Sequence, residues 1–144
     1  MIIMSVDLGK ARTGVAVSDS SETFAFPKGV IFEKNNEFLV QKICDKANEL
    51  KAQLIVVGYP KNMDGSEGSR AEECKEIAGK ITAQSQIETV LWDERCTTMS
   101  AAIFLNANDV RGKKRKETID TESATIILED YLRYRKNNKK GVLL

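Results

Sequence analysis

Acidic residues occur at three places where the ends of predicted elements could bring their carboxylates to one edge of a sheet. Asp7 ends the first apolar run of the chain. Asp93 and Glu94 directly follow a later apolar run, and Asp120 opens the last helical segment. Carboxylate oxygens are the ligands that hard divalent cations prefer. Two such ions about 3.5–4 Å apart can activate a water and stabilise the leaving oxygen of a phosphodiester. The three acidic positions together therefore indicate hydrolysis assisted by one or two Mg²⁺ or Mn²⁺ ions.

Each acid also has an ordinary structural interpretation. Asp7 is typical of a turn residue. Asp93 and Glu94 could pair with Arg95 or cap the helix that follows them. An aspartate that opens a helix, as Asp120 does, usually caps it or complements its dipole. The hydrolytic interpretation therefore depends on the set of acids and on no single member.

The composition excludes several other kinds of active site. The 144 residues include no histidine, which excludes Ser-His-Asp and Cys-His catalysis and zinc held by histidine. The three cysteines (Cys44, Cys74 and Cys96) form no C-x-x-C pair. We therefore expect neither a disulfide framework nor a zinc knuckle, and we expect a reducing compartment. No stretch approaches the roughly 18 apolar residues of a membrane helix, so a cytoplasmic protein without a membrane partner is expected.

Positive charge is concentrated near the C-terminus. The whole chain has 22 Lys+Arg against 21 Asp+Glu, but residues 108–144 hold ten basic and six acidic residues. The densest part comes just before Asp120 and includes Arg111, Lys113, Lys114 and Arg115. Such a run can be a solvated loop, or it can contact a phosphate backbone. Its position beside a candidate metal-binding acid favours nucleic-acid binding.

The periodicity of apolar residues predicts the order β-β-β-α-β-α-β-α-α. Three strands come first and have short connections, which favours antiparallel pairing, and Pro27 indicates an edge position or an irregularity in the third. Two later strands alternate with helices and should be parallel. The predicted strands are 2–6, 14–18, 24–32, 54–58 and 88–92, and the predicted helices are 36–51, 70–83, 98–106 and 119–135. We expect one α/β domain over residues 1–136 and a tail over 137–144.

Four ordered blocks of the chain resemble the YqgF (RuvX) family. They are Asp7-Leu8-Gly9 continuing to Asp19, Val57-Gly58-Tyr59-Pro60 continuing to Glu67, Trp92-Asp93-Glu94-Arg95 continuing to Thr98, and Ile119-Asp120 with Ser123-Ala124. Members are described as nucleases that process the 5′ end of pre-16S rRNA and as Holliday junction resolvases. The resemblance implies a ribonuclease H-like fold, with a five-stranded mixed sheet flanked by helices.

The resemblance also implies roles for individual residues. Asp7, Glu94 and Asp120 would be the catalytic acids that bind the metal. Asp93 could substitute for Glu94, because adjacent residues on a strand point to opposite faces and the sequence leaves open which of the two faces the site. The implied phosphate contacts are Lys10, Arg12, Arg70 and Arg95. Two residues depart from the family pattern, since Thr13 stands where an apolar residue is usual and Ser123 replaces a usual alanine.

The leading hypothesis is a metal-dependent nuclease that acts on structured nucleic acid, with precursor 16S rRNA favoured over DNA junctions and the small-subunit precursor as partner. One alternative is a junction-resolving nuclease, which would need a dimer to place two sites on paired strands. The other is an RNA- or ribosome-binding module that does not cut, because a fold does not fix a function. The sequence leaves open whether the protein is a monomer or a homodimer.

Overall fold

The computed structural model describes residues 1–59, 69–93 and 123–137. Five strands and three helices lie in these ranges. The strands are β1 (Ile3–Asp7), β2 (Arg12–Ser18), β3 (Ala25–Phe32), β4 (Leu54–Tyr59) and β5 (Glu88–Asp93). The helices are α1 (Asn36–Leu50), α2 (Ser69–Ser85) and the helical residues 123–137, here called α3.

The strands form one mixed sheet in the order β3-β2-β1-β4-β5. β1 pairs antiparallel with β2, which pairs antiparallel with β3. On its other side β1 is parallel to β4, and β4 is parallel to β5. The three antiparallel strands followed by two parallel ones are therefore confirmed, as is the edge position that Pro27 predicts for β3.

Element bounds differ from the predicted ones by a few residues. β2 begins at Arg12, two residues before the predicted start, because Arg12 and Thr13 are already paired with β3. Apolar periodicity does not report such main-chain pairing, since neither residue is strongly apolar. The predicted helix over 98–106 lies outside the described residues.

Side chains alternate between the two faces of the sheet and build two cores. Met4 and Val6 of β1 pack with α1 and α2 on one face, which we call the α1/α2 face. Ile3 packs on the other face against Ile127 and Leu128 of α3, and we call this the α3 face. Helices therefore cover both faces of the central strands, as a parallel βαβ arrangement requires.

Two contacts fix the direction of α3 across the sheet. The Ser5 hydroxyl donates to the Ala124 carbonyl over 2.6 Å, near the C-terminal end of β1. Eleven residues later, Arg135 Nε lies 2.6 Å from Glu22 Oε1, and Glu22 also holds the N-terminal ammonium group. α3 therefore runs antiparallel to β1, so that its upstream end lies towards the sheet edge where β1 ends.

Across residues 1–59, 69–93 and 123–137, we find no helix with the length and apolar character that crossing a membrane would require.

Candidate active site

Asp7 is the last residue of β1 and lies in the centre of the sheet. Alternation places it on the α3 face, two residues after Ser5. Its Cα partners are Gly14 on β2 and Gly58 on β4. Neither neighbour carries a side chain, so no side chain of β2 or β4 stands directly beside the partly exposed carboxylate in its row of the sheet. A cation or phosphate group bound to Asp7 would meet no side chain from these two positions.

The turn after Asp7 is held by an unusually close approach of backbone. A Cβ added at Gly9 would lie 2.1 Å from the carbonyl oxygen of Arg12. No side chain fits at that distance, so the turn requires glycine for close approach. Leu8 is buried between Asp7 and this turn. The backbone just after β1 is therefore held by the buried side chain of Leu8 and by the close approach of Gly9 to Arg12.

Arg70, in the first turn of α2, bonds to the backbone beside Asp7. Its Nη2 donates to the Leu8 carbonyl over 2.8 Å, and its Nη1 lies 2.9 Å from Glu73 Oε2. The Asn36 amide also donates to Glu73, over 3.3 Å. Together with the nearby charge of Lys10, these donors hold the pKa of Glu73 below its ordinary range, with Arg70 as the largest cause. Arg70 thus positions the residue that follows Asp7, a role that its sequence position does not reveal.

Two further cations lie at the same edge of the sheet. Lys10 is exposed in the turn between β1 and β2. Arg12 opens β2, is half-buried and lies two residues from Gly14, which puts it on the α3 face with Asp7. The structure therefore places four of the predicted site residues at one edge of the sheet: Asp7, Lys10, Arg12 and Arg70. A shared site would require this arrangement.

The second acidic position begins where the described part of β5 ends. Trp92 is aligned with Gly58, and Asp93 is aligned with Tyr59. Because Gly58 is the partner of Asp7, the ends of β1 and β5 lie on the same edge of the sheet, about 10 Å apart across two strand spacings. The remaining predicted site residues lie outside the described residues: Glu94, Arg95, Arg111, Lys113, Lys114, Arg115 and Asp120.

Three residues at this edge are not among the predicted site residues. Ser5 joins the strand that carries Asp7 to α3. Gly58 puts no side chain beside the carboxylate, and its place at the end of the apolar run 54–57 could have indicated this. Phe32 ends β3 opposite Arg12 with a side chain that is 56% exposed. Only the pairing of the strands reveals this last position.

At this edge the described residues offer a carboxylate, and neither histidine nor cysteine, as a possible metal ligand. The chain has no histidine, and the two described cysteines are buried on the helices of the α1/α2 face. Within the part of the chain that the structure describes, no cluster of three or more acidic, cysteine or histidine side chains could hold a metal ion. Asp7 lies at the end of the central strand with a glycine on each side, and its carboxylate oxygens are ligands of the kind that Mg²⁺ or Mn²⁺ prefers.

Comparison with known sequences links this geometry to one family. A family model described as "RuvX: Holliday junction resolvase" matches residues 1–134. A relative from Geobacillus sp. is 38% identical over 136 residues, which are 92% of this chain and 97% of the relative. A relative from Ruminiclostridium cellulolyticum is 38% identical over 144 residues, which are 98% of this chain and 100% of the relative. Both relatives bear the name "Putative pre-16S rRNA nuclease".

Solved structures share the fold at low sequence identity. RuvC of Thermus thermophilus in complex with a Holliday junction substrate has a TM-score of 0.57 and 10% identity, and the match covers 94% of this chain and 96% of that one. The resolvase of Fowlpox virus in complex with Holliday junction DNA has a TM-score of 0.59 and 12% identity, covering 93% and 98%. The expected ribonuclease H-like α/β fold is thereby confirmed.

Proposed function

The chain belongs to the RuvX family, and from this premise we propose that it is a metal-dependent nuclease that hydrolyses phosphodiester bonds of structured nucleic acid. The observation that carries the proposal is the place of Asp7. Its carboxylate stands at the end of the central strand, between two glycines, at the edge that also presents Lys10 and Arg12. A partly exposed carboxylate with no side chain beside it on either neighbouring strand, next to cations, is suited to hold a divalent ion against a phosphate group.

Glu94 and Asp120 are the proposed partners of Asp7. On β5, Val90 and Trp92 pack on the α3 face, which is the face of Asp7. Glu94 has the same parity in the sequence as Trp92, and this favours Glu94 over Asp93 as the second acid. Asp120 precedes Ala124 by four residues, and Ala124 is held by Ser5 at the upstream end of α3. This contact supports Asp120 as the third acid.

The proposed chemistry assigns a separate task to each described residue. Bound Mg²⁺ or Mn²⁺, one or two ions, would supply the activated water and the charge that stabilises the leaving oxygen. Asp7 contributes carboxylate oxygens to hold the ion. Lys10 and Arg12 attract and orient the phosphate backbone of the substrate. Arg70 keeps the backbone at Leu8, and with it Asp7, in place.

The proposed substrate is the 5′ end of precursor 16S rRNA within the small-subunit precursor. The names of the two relatives support it, since both refer to pre-16S rRNA. A cytoplasmic location would follow from that substrate. The second candidate is cleavage of four-way DNA junctions, which the description of the family model favours. A third outcome is RNA binding without cleavage.

We further propose that residues 1–136 form one nuclease domain and that residues 137–144 are a tail. Additional contacts to the phosphate backbone of the substrate are proposed for Arg95, Arg111, Lys113, Lys114 and Arg115.

The test replaces Asp7 with asparagine, which keeps the size of the side chain and removes its charge. Precursor rRNA and four-way DNA junctions are incubated side by side with Mg²⁺ or Mn²⁺, and cleavage is followed on gels. We expect Asp7→Asn to lose cleavage at least 100-fold, about 2.7 kcal/mol, while its melting temperature and RNA affinity stay near those of the wild type. Asp45→Asn, which alters an exposed aspartate on α1, is the matched control and should cleave normally.

The competing functions predict different results in the same experiment. Ion-dependent cleavage by Asp7→Asn at the wild-type rate would refute the assigned role of Asp7. Preference for junctions over rRNA, together with a dimeric mass in solution, would favour the resolvase. Tight RNA binding without cleavage under any divalent ion would favour the binding module.

A further inference from the structure

β3 contains an irregularity that decides which of its side chains share the face of Asp7. Gly14 is paired with Val30, whereas Ala16 is paired with Pro27, so β3 has one more residue than β2 between these two pairs. Gly29 lies in this bulge with a φ of +92°, in the region that favours glycine. A bulge of one residue reverses the alternation of all later side chains.

The reversal places Phe32 on the α3 face. Phe32 is the Cα partner of Arg12, which lies on that face with Gly14 and Asp7. Its neighbour Ile31 instead packs into the core on the α1/α2 face. Without the bulge the two would exchange faces, so that Ile31 would be exposed and Phe32 would be buried. The strand therefore presents an aromatic ring, 56% exposed, beside a cation and near the acid of the site.

The backbone that carries this ring is held from two sides. The amide of Glu33 donates to the Ala11 carbonyl over 3.0 Å, which continues the pairing with β2 past Phe32. Lys42 of α1 lies 2.9 Å from Glu33 Oε1 and 3.5 Å from the Phe32 carbonyl oxygen. Phe32 is thus an exposed ring on a fixed backbone, which loses little conformational freedom when a flat ligand stacks on it.

The charges around the ring suit a polyanionic strand. Lys10, Arg12 and Lys34 lie in the turn before β2, at the start of β2 and just after β3. Two acids of this edge are paired, Glu33 with Lys42 and Glu73 with Arg70. A third acid, Glu37, lies in the first turn of α1, where it complements the helix dipole. An exposed aromatic ring among cations is the combination by which proteins bind single-stranded nucleic acid, through stacked bases and phosphate contacts.

We propose that Phe32 and Arg12 bind an unpaired nucleotide of the RNA strand that enters the Asp7 site, with the base stacked on Phe32 and its phosphate facing Arg12. This inference rests on the proposed function and specifies that the strand is unpaired next to the site. From the strand geometry, the Cα atoms of Phe32 and Asp7 are about 12 Å apart, so one short strand reaches both.

The test compares two RNA hairpins, one with a single-stranded extension and one blunt, in binding titrations with EDTA so that no cleavage occurs. Phe32→Ala should weaken binding of the extended hairpin about tenfold, or about 1.4 kcal/mol, and leave binding of the blunt hairpin unchanged. Phe32→Trp should retain affinity, whereas Phe32→Leu should behave like Phe32→Ala. The matched control is Phe26→Ala, because Phe26 is 47% exposed on the same strand but is paired with Val17 on the opposite face.

Each remaining outcome has a defined meaning. Equal affinities of Phe32→Ala and Phe26→Ala for the extended hairpin, or full affinity in Phe32→Leu, would overturn the stacking role. Should the wild type cleave precursor rRNA in that case, the proposed function survives and this inference alone fails. If Phe32→Ala weakens binding of the extended hairpin but the wild type shows no ion-dependent cleavage, the stacking role of Phe32 stands and the proposed nuclease function fails. A wild-type protein that binds neither hairpin overturns this inference, and the proposed function also fails if that protein does not cleave precursor rRNA or DNA junctions.

Discussion

The hydroxyl of Ser5 donates to the carbonyl of Ala124 over 2.6 Å, across 119 positions of sequence. Ser5 is fully buried and lies two residues before Asp7 on β1. Ala124 lies at the upstream end of the described part of α3, four residues after Asp120. One hydrogen bond therefore joins the strand that carries the first proposed acid to the helix that follows the third. This bond should influence the relative position of the two carboxylates as well as the stability of the fold.

Ser5→Ala tests that double role. We expect a loss of about 1 kcal/mol in the free energy of unfolding, as is usual for a lost intramolecular hydrogen bond. We also expect half-maximal cleavage to require a higher concentration of the divalent ion. Ser85→Ala is a matched control, because the Ser85 hydroxyl also donates to a helix carbonyl over 2.6 Å but lies at the far end of α2. It should lose comparable stability and keep the wild-type ion dependence. Identical ion titrations for the two variants would contradict the positioning role of Ser5.

Thr13 supplies a prediction about stability alone. Its side chain is fully buried in β2, and its hydroxyl oxygen has no hydrogen-bond partner among the residues that the structure describes. A buried hydroxyl without a partner costs about 1–3 kcal/mol. Thr13→Val removes it and keeps the branched shape, so we expect the variant to be about 1 kcal/mol more stable, measured by urea denaturation. Thr82→Val is the control, because the Thr82 hydroxyl donates to the Ala78 carbonyl over 3.0 Å and its loss should not stabilise.

Acid should weaken the turn between β2 and β3 through Asp19. The Ser21 hydroxyl and the amides of Phe24 and Thr23 donate to its carboxylate and hold its pKa below the ordinary range, with Ser21 as the largest cause. A carboxyl with a lowered pKa in the folded state contributes stability above its unfolded pKa, about 3.9, and loses it as the pH falls through the folded pKa. Melting temperatures from about pH 6 to pH 3 should therefore fall more steeply in the wild type than in Asp19→Asn. Parallel curves would contradict this contribution.

The elements that hold the first proposed acid could be predicted from local sequence. β4 begins with a continuous apolar run and β1 is apolar except at Ser5 and Asp7, because both faces of these strands are covered, and that pattern is visible without any structure. The acid at the end of β1 and the acids that follow β5 could be assigned to one edge from the parallel order alone. The resemblance to a known family then indicated which acids to consider.

The contacts that shape the edge could not be predicted in this way. The side on which Phe32 lies depends on one extra residue in β3. Pro27 indicates an edge position or an irregularity, but not that a bulge would move Phe32 to the other face. The bond from Arg70 to the Leu8 carbonyl joins residues 62 positions apart, and its acceptor belongs to the backbone, which carries no residue-specific signal. Sequence patterns report local periodicity, whereas these features depend on how distant segments meet.

Arg70 and Lys10 are both predicted phosphate contacts, and the structure distinguishes them. The guanidinium of Arg70 is engaged by the Leu8 carbonyl and by Glu73, whereas the ammonium of Lys10 is exposed in the turn between β1 and β2. Each phosphate contact that is lost lowers the dependence of RNA affinity on salt, by about 0.7 in the slope of log K against log salt for a single strand. We therefore expect that slope to fall in Lys10→Gln and to stay unchanged in Arg70→Gln.

Cleavage and stability should show the opposite pattern for these two variants. Arg70→Gln removes a bond to the backbone beside Asp7 and leaves Glu73 without its ion-pair partner, so we expect a loss of about 1–2 kcal/mol in stability and a lower kcat. Lys10→Gln should keep its stability and its kcat and show a raised KM at moderate salt. If Arg70→Gln instead lowers the salt slope at unchanged kcat, the guanidinium contacts phosphate directly, and the alignment of Asp7 must depend on the Gly9 turn and its sheet neighbours.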